Sequence, residues 1–277
     1  MDIRVISTLA IPVTEPHPEW ESFSSDTLPD VTPVLRACEL EVHHGDTVAL
    51  TGVDLTVPAG TSLAVIGPNG SGKSTLLNAI TGIVAPTKGT LTLNGSRAAL
   101  VLQSTEVDRS LPITVRDTVG LARYPALGLL RRFTRTDRDA IFDAMRRLGV
   151  DHLAKRQLHE LSGGQRQRVL VAQGLAQHAD LLLLDEPVTG LDITSRGLIL
   201  DVIDSETAAN RAVIVTTHDL DDARICDQVL LIDRHAIAVG PPDEVLTEDN
   251  LIHAFGSRFI RVGDRLILDD PHHHHQH

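Results

Sequence analysis

Residues 67 to 74 read Gly67-Pro68-Asn69-Gly70-Ser71-Gly72-Lys73-Ser74, the pattern G-x-x-x-x-G-K-S. The chemistry open to such a stretch is the capture of a polyphosphate. Glycines allow backbone angles that turn successive N–H groups inward on an anion. Ser74-Thr75-Leu76-Leu77-Asn78-Ala79-Ile80 follows with helix-forming spacing, so the positive end of that helix faces the same anion. In this pattern Lys73 reaches the β- and γ-phosphates and the Ser74 hydroxyl ligates Mg2+. The apolar run Leu63-Ala64-Val65-Ile66 just upstream supplies the strand that such a loop must leave.

A second site of chemistry is the run Leu181-Leu182-Leu183-Leu184-Asp185-Glu186. Four leucines make a buried strand, and its C-terminal end, where ligands gather in open α/β sheets, carries two carboxylates. Asp185 would hold Mg2+ through water. Glu186, whose side chain alternates away from that of Asp185, would polarise an attacking water. A third stretch, Leu161-Ser162-Gly163-Gly164-Gln165, precedes the arginine-rich segment Arg166-Gln167-Arg168. Ser162 fits a helix N-cap with Gln165 closing the capping box, and Gly163 and Gly164 bare N–H groups at a helix start that attracts anions.

The elements that must position these groups follow from periodicity. Ala37 to Val42 alternates, and Val48 to Leu50 and Val53 to Val57 read as further short strands. Thr90 to Leu93 and Ala98 to Leu102, with a turn at Asn94-Gly95, are expected to complete an antiparallel layer. Residues 104 to 160 turn helical. The clearest case is Thr136 to Leu148, with Ile141, Met145 and Leu148 on one face, Thr136 and Asp139 at its start, and Gly149 as a stop. From Asp180 to the mid-230s strands (Leu181 to Leu184, Ala212 to Val215, Val229 to Ile232) alternate with helices (Gly197 to Ile203, Leu220 to Ile225), the signature of a parallel sheet covered by helices. Pro242 to Leu246 and Asn250 to Phe255 fit helices, and Phe259 to Val262 with Leu266 to Leu268 fits a terminal hairpin.

Composition narrows the function. With 25 Lys and Arg against 37 Asp and Glu, the formal charge of −12 argues against a nucleic-acid groove, so no nucleic-acid partner is expected. No apolar run approaches the roughly 18 residues of a membrane span. The only cysteines, Cys38 and Cys226, lie far apart and read as two reduced core thiols, which suits the cytoplasm. Residues 1 to 35 hold five of the 14 prolines and many acidic and hydroxyl residues, and read as a flexible extension on which Trp20 and Phe23 could dock to a neighbour. The remainder divides into a main domain at 36–256, with a helical arm inserted at about 104–160, and a hairpin and His-rich tail at 257–277.

Together the loop at 67, the Leu-Ser-Gly-Gly-Gln stretch and the Asp-Glu pair resemble the nucleotide-binding subunit of an ATP-binding cassette (ABC) transporter, over about residues 37 to 256. The resemblance implies an α/β P-loop NTPase fold, a mixed, mainly parallel sheet with an antiparallel β layer and a helical arm. It implies ATP as substrate, Mg2+ as cofactor, and hydrolysis to ADP and phosphate. Gln103 matches the glutamine loop that senses Mg2+ and the γ-phosphate and signals to the membrane subunit. Asp192, in Thr189-Gly190-Leu191-Asp192, matches the loop that crosses the interface of a cassette dimer. His218, in Thr216-Thr217-His218-Asp219, matches the switch histidine on the γ-phosphate. The arm corresponds to the part that docks a permease.

In this family two cassettes close head to tail on two ATP molecules, so Ser162, Gly163 and Gly164 of one chain would complete the site of the other. The implied partners are a second copy of the chain, integral-membrane permease subunits and, indirectly, an extracytoplasmic solute-binding protein. The implied place is the cytoplasmic face of the membrane. Two departures stand out. Where family members stack an aromatic on adenine, this chain has His43-His44-Gly45-Asp46, with His44 at the best-fitting position. The common Ala-Arg-Ala-Leu appears as Ala172-Gln173-Gly174-Leu175. Cassettes of DNA repair, chromosome organisation and translation resemble paired cassettes or halves split by long heptads, which this chain lacks. A regulator without hydrolysis is opposed by Glu186, Gln103 and His218 occurring together.

The arm sequence Pro112 to Val119, followed by Tyr124 to Arg132, resembles cassettes serving zinc and manganese importers. His272 to His275 and His277 add five imidazoles within six residues, and neutral imidazole ligates Zn2+ well. A C-terminal histidine run also suits an affinity tag, although Gln276 interrupts this one. The expectation is a zinc importer ATPase, with manganese next and siderophore or haem import as the alternative.

Overall fold

The computed structural model describes residues 33–94, 97–103, 112–124 and 132–256, together with the backbones of two strands at 259–262 and 265–268. Trp20, Phe23, the histidine tail and parts of the arm lie outside the described residues.

The site is organised by a six-stranded sheet whose central strands are mostly apolar because both of their faces are covered. Strand β3 (Ser62–Ile66) is buried at every residue, and β7 (Ala212–Thr217) likewise. With β5 (Ala98–Val101), β6 (Leu181–Asp185), β8 (Gln228–Asp233) and β9 (His235–Gly240) they are ordered β5-β6-β7-β3-β8-β9. All neighbours are parallel except β8 and β9. Side-chain alternation divides the interior into two cores: Ala64, Ile66, Val213 and Val215 belong to one, and Leu63, Val65 and Ile214 to the other. The sequence reading did not include β9, which closes the sheet as an antiparallel edge.

The second core is capped by a three-stranded antiparallel sheet of β2 (Thr47–Val57), β1 (Leu35–His44) and β4 (Lys88–Leu93), in the order β2-β1-β4. Its strand β2 runs unbroken through the two short segments expected there. Gly52, at φ 58, sits where the register against β1 shifts between the pairs Leu40↔Val53 and Val42↔Leu50. Val34 donates its N–H to Val57 O, and Leu35 is fully buried.

The pairing of Ala98 to Leu102 departs from expectation. Ala98 to Leu102 does not pair with Thr90 to Leu93 in the antiparallel layer. β5 lies beside β6 with Ala98↔Leu181 through Val101↔Leu184 in parallel register, while β4 pairs with β1. The reason is burial: β4 alternates Thr with Leu and leaves one face to solvent, whereas Ala98-Ala99-Leu100-Val101 is apolar on both faces and needs cover on both.

In the arm, α2 (Val115–Gly120) starts at Thr114, whose hydroxyl accepts the Asp117 N–H. The helix Arg135–Arg147 is capped by Thr134 and Asp137, not by Thr136 and Asp139 as expected. Thr134 is extended and Asp137 is buried. Asp137 accepts bonds from the Thr134 N–H (2.9 Å) and hydroxyl (2.6 Å) and from Arg123 Nε (2.9 Å). Those bonds hold its carboxyl below the usual range, Thr134 contributing most. Ile141, Met145 and Leu148 bury the expected face, and Gly149 follows in the left-handed region at φ 61.

Further on, helices occupy Gly163–Leu175, Ile193–Ala208, Leu220–Arg224, Pro242–Val245 and Glu248–Phe255, and β10 (Phe259–Val262) pairs antiparallel with β11 (Arg265–Leu268). Both cysteines are free thiols. Cys226 is buried, which pushes its thiol up to about 12, whereas Cys38 on β1 is only half-buried. Among the described residues no helix is long and apolar enough to cross a membrane.

Candidate active site

The parallel register brings the C-terminal ends of three strands together: Ile66 lies opposite Thr217, and Asp185 opposite Thr216. After Ile66 the chain turns so tightly that only glycine fits. A Cβ on Gly67 would lie 2.0 Å from Ile232 O, and one on Gly72, at φ 100, would lie 2.4 Å from a Leu50 methyl. Ser71 closes the turn by donating its N–H to Pro68 O at 3.1 Å and is anchored by the Arg234 N–H. Asn69 and Gly70 form the exposed lip. Helix α1 (Lys73–Ile80) begins with no side-chain cap, so the first-turn N–H groups of Lys73, Ser74 and Thr75 have no side-chain acceptor at the helix start.

Lys73 is 8% exposed, and its ammonium donates to Gly67 O at 2.7 Å and Pro68 O at 3.1 Å. Burial lowers its pKa, and the nearby carboxylates of Glu186 and Asp185 oppose that shift. Ser71 Oγ is buried without a hydrogen-bond partner. An uncapped helix start, an orphaned hydroxyl and a cation folded onto loop carbonyls together fit a polyphosphate.

Asp185 bridges two strands and the loop. One carboxylate oxygen accepts the Thr216 hydroxyl proton at 2.6 Å, and the other accepts that of Ser74 at 3.1 Å. These are hard oxygen donors, which suit Mg2+. Among the described residues no group of three or more His, Cys, Asp and Glu side chains forms a metal cluster.

Glu186 departs from strand geometry. β6 ends at Asp185, and Glu186 adopts φ 46, a left-handed conformation unusual for a non-glycine residue and frequent at functional sites. Its N–H is held by Thr216 Oγ1 at 2.9 Å. Its carboxylate accepts from Thr189 at 3.4 Å and lies 3.8 Å from His218 Nδ1. Thr216 therefore orients both acids at once, a role the sequence reading missed. The available signal was a pair of threonines ending an otherwise apolar strand. His44, exposed at the end of β1, reaches Thr75 Oγ1 at 3.3 Å and so stands at the rim of the phosphate loop. Gln103 is exposed two residues past the end of β5.

The remaining residues form a second cluster. Ser162 accepts the Gln165 N–H at 3.2 Å and Gln165 Oε1 accepts the Ser162 N–H at 3.1 Å, completing the expected capping box. Gly164 packs so closely on the Asp192 loop that a Cβ there would meet Ser195 Oγ at 2.9 Å and Asp192 Oδ2 at 3.0 Å. Asp192 caps its own helix through the Ser195 N–H (2.9 Å) and hydroxyl (2.7 Å), bonds that lower its pKa.

Comparison with known proteins decides the family. Residues 50–189 match the family model described as ABC transporter. The chain is 38% identical over 225 residues to the manganese transport system ATP-binding protein MntB of Listeria innocua, covering 78% of this chain and 94% of that protein. This chain is an ATP-binding subunit of the ABC transporter family. It is also 36% identical over 234 residues to the chelated iron transport system membrane protein YfeB of Yersinia pestis, covering 80% of this chain and 79% of that one. Among solved structures, a metal-chelate type ABC transporter in an inward-facing conformation aligns with a TM-score of 0.74 at 28% identity, over 85% of this chain and 96% of that one. As a member of the ABC family the subunit binds ATP and is an ATPase coupled to transport, and such a subunit works with membrane permease partners.

Proposed function

We propose that this ABC ATPase drives uptake of a divalent transition metal, with manganese ahead of zinc. The observation that carries this reading is the 38% identity over 225 residues to a manganese transport ATP-binding protein. The zinc reading rested on the arm and on a histidine tail that lies outside the described residues. The relatives named above carry manganese and chelated iron in their names. A second reading, uptake of a chelated metal, draws on the 36% identity to the chelated iron protein and on the metal-chelate type transporter.

In this proposal the cassette spans residues 36 to 256, and the loop Gly67 to Ser74 with Thr75 wraps the phosphates of ATP while His44 flanks the adenine. Ser74, Asp185 and Gln103 would hold Mg2+. Bound there, Mg2+ would neutralise charge on the phosphate oxygens. Glu186 polarises the attacking water, and His218, 3.8 Å from the Glu186 carboxylate, stands where it can contact the γ-phosphate. Ser162, Gly163, Gly164 and Gln165, with Asp192, face the nucleotide of a second copy in a head-to-tail dimer. The subunit sits peripherally on the cytoplasmic face of the membrane, and an extracytoplasmic solute-binding protein delivers the metal.

The test is to purify the subunit with its permease, reconstitute the complex in liposomes with the solute-binding protein, and measure ATPase against candidate solutes. Stimulation by Mn2+ above Zn2+ and above ferric chelates supports the proposal. Stimulation by a sugar or amino acid and by no metal would refute it.

A further inference from the structure

An ion pair between two helices lies outside the set of residues proposed to bind or hydrolyse ATP. Arg196 stands near the start of the helix Ile193–Ala208, four positions after the Asp192 cap. Its guanidinium Nη2 donates to Asp222 Oδ1 in the helix Leu220–Arg224. That second helix has five residues, and its cap, Asp219, accepts the Asp221 N–H at 2.7 Å. His218 is the residue immediately before this cap. A helix this short is held by what it packs on: Leu220 and Ala223 are buried, and Asp222 is 6% exposed. Burial pushes the Asp222 carboxyl upward, and the Arg196 bond pulls against that shift.

We infer that Arg196 and Asp222 are positioning residues for ATP hydrolysis, fixing the place of His218 relative to Glu186 and tying it to the Asp192 loop. The physical route is continuous. Gly164 packs on Asp192 and Ser195, Arg196 is the next residue on that helix, and its partner Asp222 stands one turn beyond the cap that follows His218. His218 Nδ1 in turn lies 3.8 Å from the Glu186 carboxylate. The Asp222 carboxylate is buried while the Arg196 side chain is 40% exposed, and the bond sets a register between two helices because shifting either leaves that buried carboxylate without its partner. Arg196 and Asp222 act through His218 and not by touching substrate. The inference rests on the proposed roles of His218 and Glu186.

The test is ATP hydrolysis by the full chain with separate determination of kcat and KM, alongside ATP affinity and thermal unfolding of each variant. Asp222→Asn keeps the shape of the side chain and guards against loss of folding in Asp222→Ala. Both are expected to lower kcat by about ten- to a hundredfold, as misplaced catalytic groups do, with ATP affinity within about twofold of the parent. The exchanged pair Arg196→Asp with Asp222→Arg should regain part of kcat over either single change. In a His218→Ala background Asp222→Asn should cost nothing further, since the two act through one group. A fall in melting temperature with kcat unchanged would overturn the positioning role, as would a rise in KM alone. If His218→Ala loses rate and Asp222→Asn does not, only this inference falls. If Asp222→Asn loses rate and His218→Ala does not, the route through His218 falls and the proposed role of His218 falls with it.

Discussion

Ser74 donates its hydroxyl proton to Asp185 at 3.1 Å, joining the start of α1 to the end of β6 across 111 positions of sequence. Both groups are hard oxygen donors on rigid elements, and the second oxygen of Asp185 is already fixed by Thr216 at 2.6 Å. Preorganisation of this kind is what an ion bridging to phosphate requires.

It follows that Ser74→Ala and Asp185→Asn should each raise the Mg2+ concentration needed for half-maximal ATPase, by at least about tenfold. ATPase titrated with Mg2+ at saturating ATP measures this. An unchanged Mg2+ midpoint in both variants would remove the pair as the metal site.

Glu186→Gln keeps the shape of the side chain but removes the proposed base. ATP binding should persist while hydrolysis falls by roughly 100- to 10,000-fold, the usual worth of a positioned general base. Size-exclusion chromatography with ATP should then reveal a stabilised dimer. Turnover close to the parent rate would exclude Glu186 as the group that activates water.

His44 stands at the rim of the phosphate loop, 3.3 Å from Thr75 Oγ1. If it stacks on adenine, His44→Tyr should tighten ATP binding by about 0.5–1.5 kcal/mol, the range of aromatic pairing, and His44→Ala should weaken it. Calorimetric titration with ATP distinguishes the outcomes, and equal affinities in all three proteins would place adenine elsewhere.

Asp137 secures the arm through Thr134 and Arg123, and its carboxyl is held below the usual range by those bonds. A folded pKa lower than the unfolded one means that the carboxylate stabilises fully above the unfolded value of about 3.9 and that this contribution is lost as pH falls through the lowered folded value. Asp137→Ala should cost about 1–3 kcal/mol near neutral pH, from the lost cap and a stranded arginine. Denaturant unfolding of both proteins should show that gap narrow below pH about 4. A constant gap across pH would assign the cost to packing instead.

The sequence by itself determined the groups whose geometry is local. The loop Gly67 to Ser74 is legible because tight turning and close backbone approach demand glycine at fixed spacing, and the Ser162 and Gln165 capping box is legible because both partners lie within one helical turn. The leucine run before Asp185 likewise announces a strand buried on both faces. Only the tertiary structure decided what depends on a distant partner. Alternation and apolarity mark Ala98 to Val101 as a strand without saying that it pairs with Leu181 to Leu184, because pairing is a choice among all available edges. The arm helix is capped at Thr134 and not Thr136, and the local Thr134 and Asp137 capping box is joined by a bond from Arg123, 14 positions away. The left-handed turn at Glu186, held by Thr216 from 30 positions away, and the Arg196 bond to Asp222 arise only when separate strands end at one place. Such contacts are set by the close packing of the whole chain, and no local spacing encodes them.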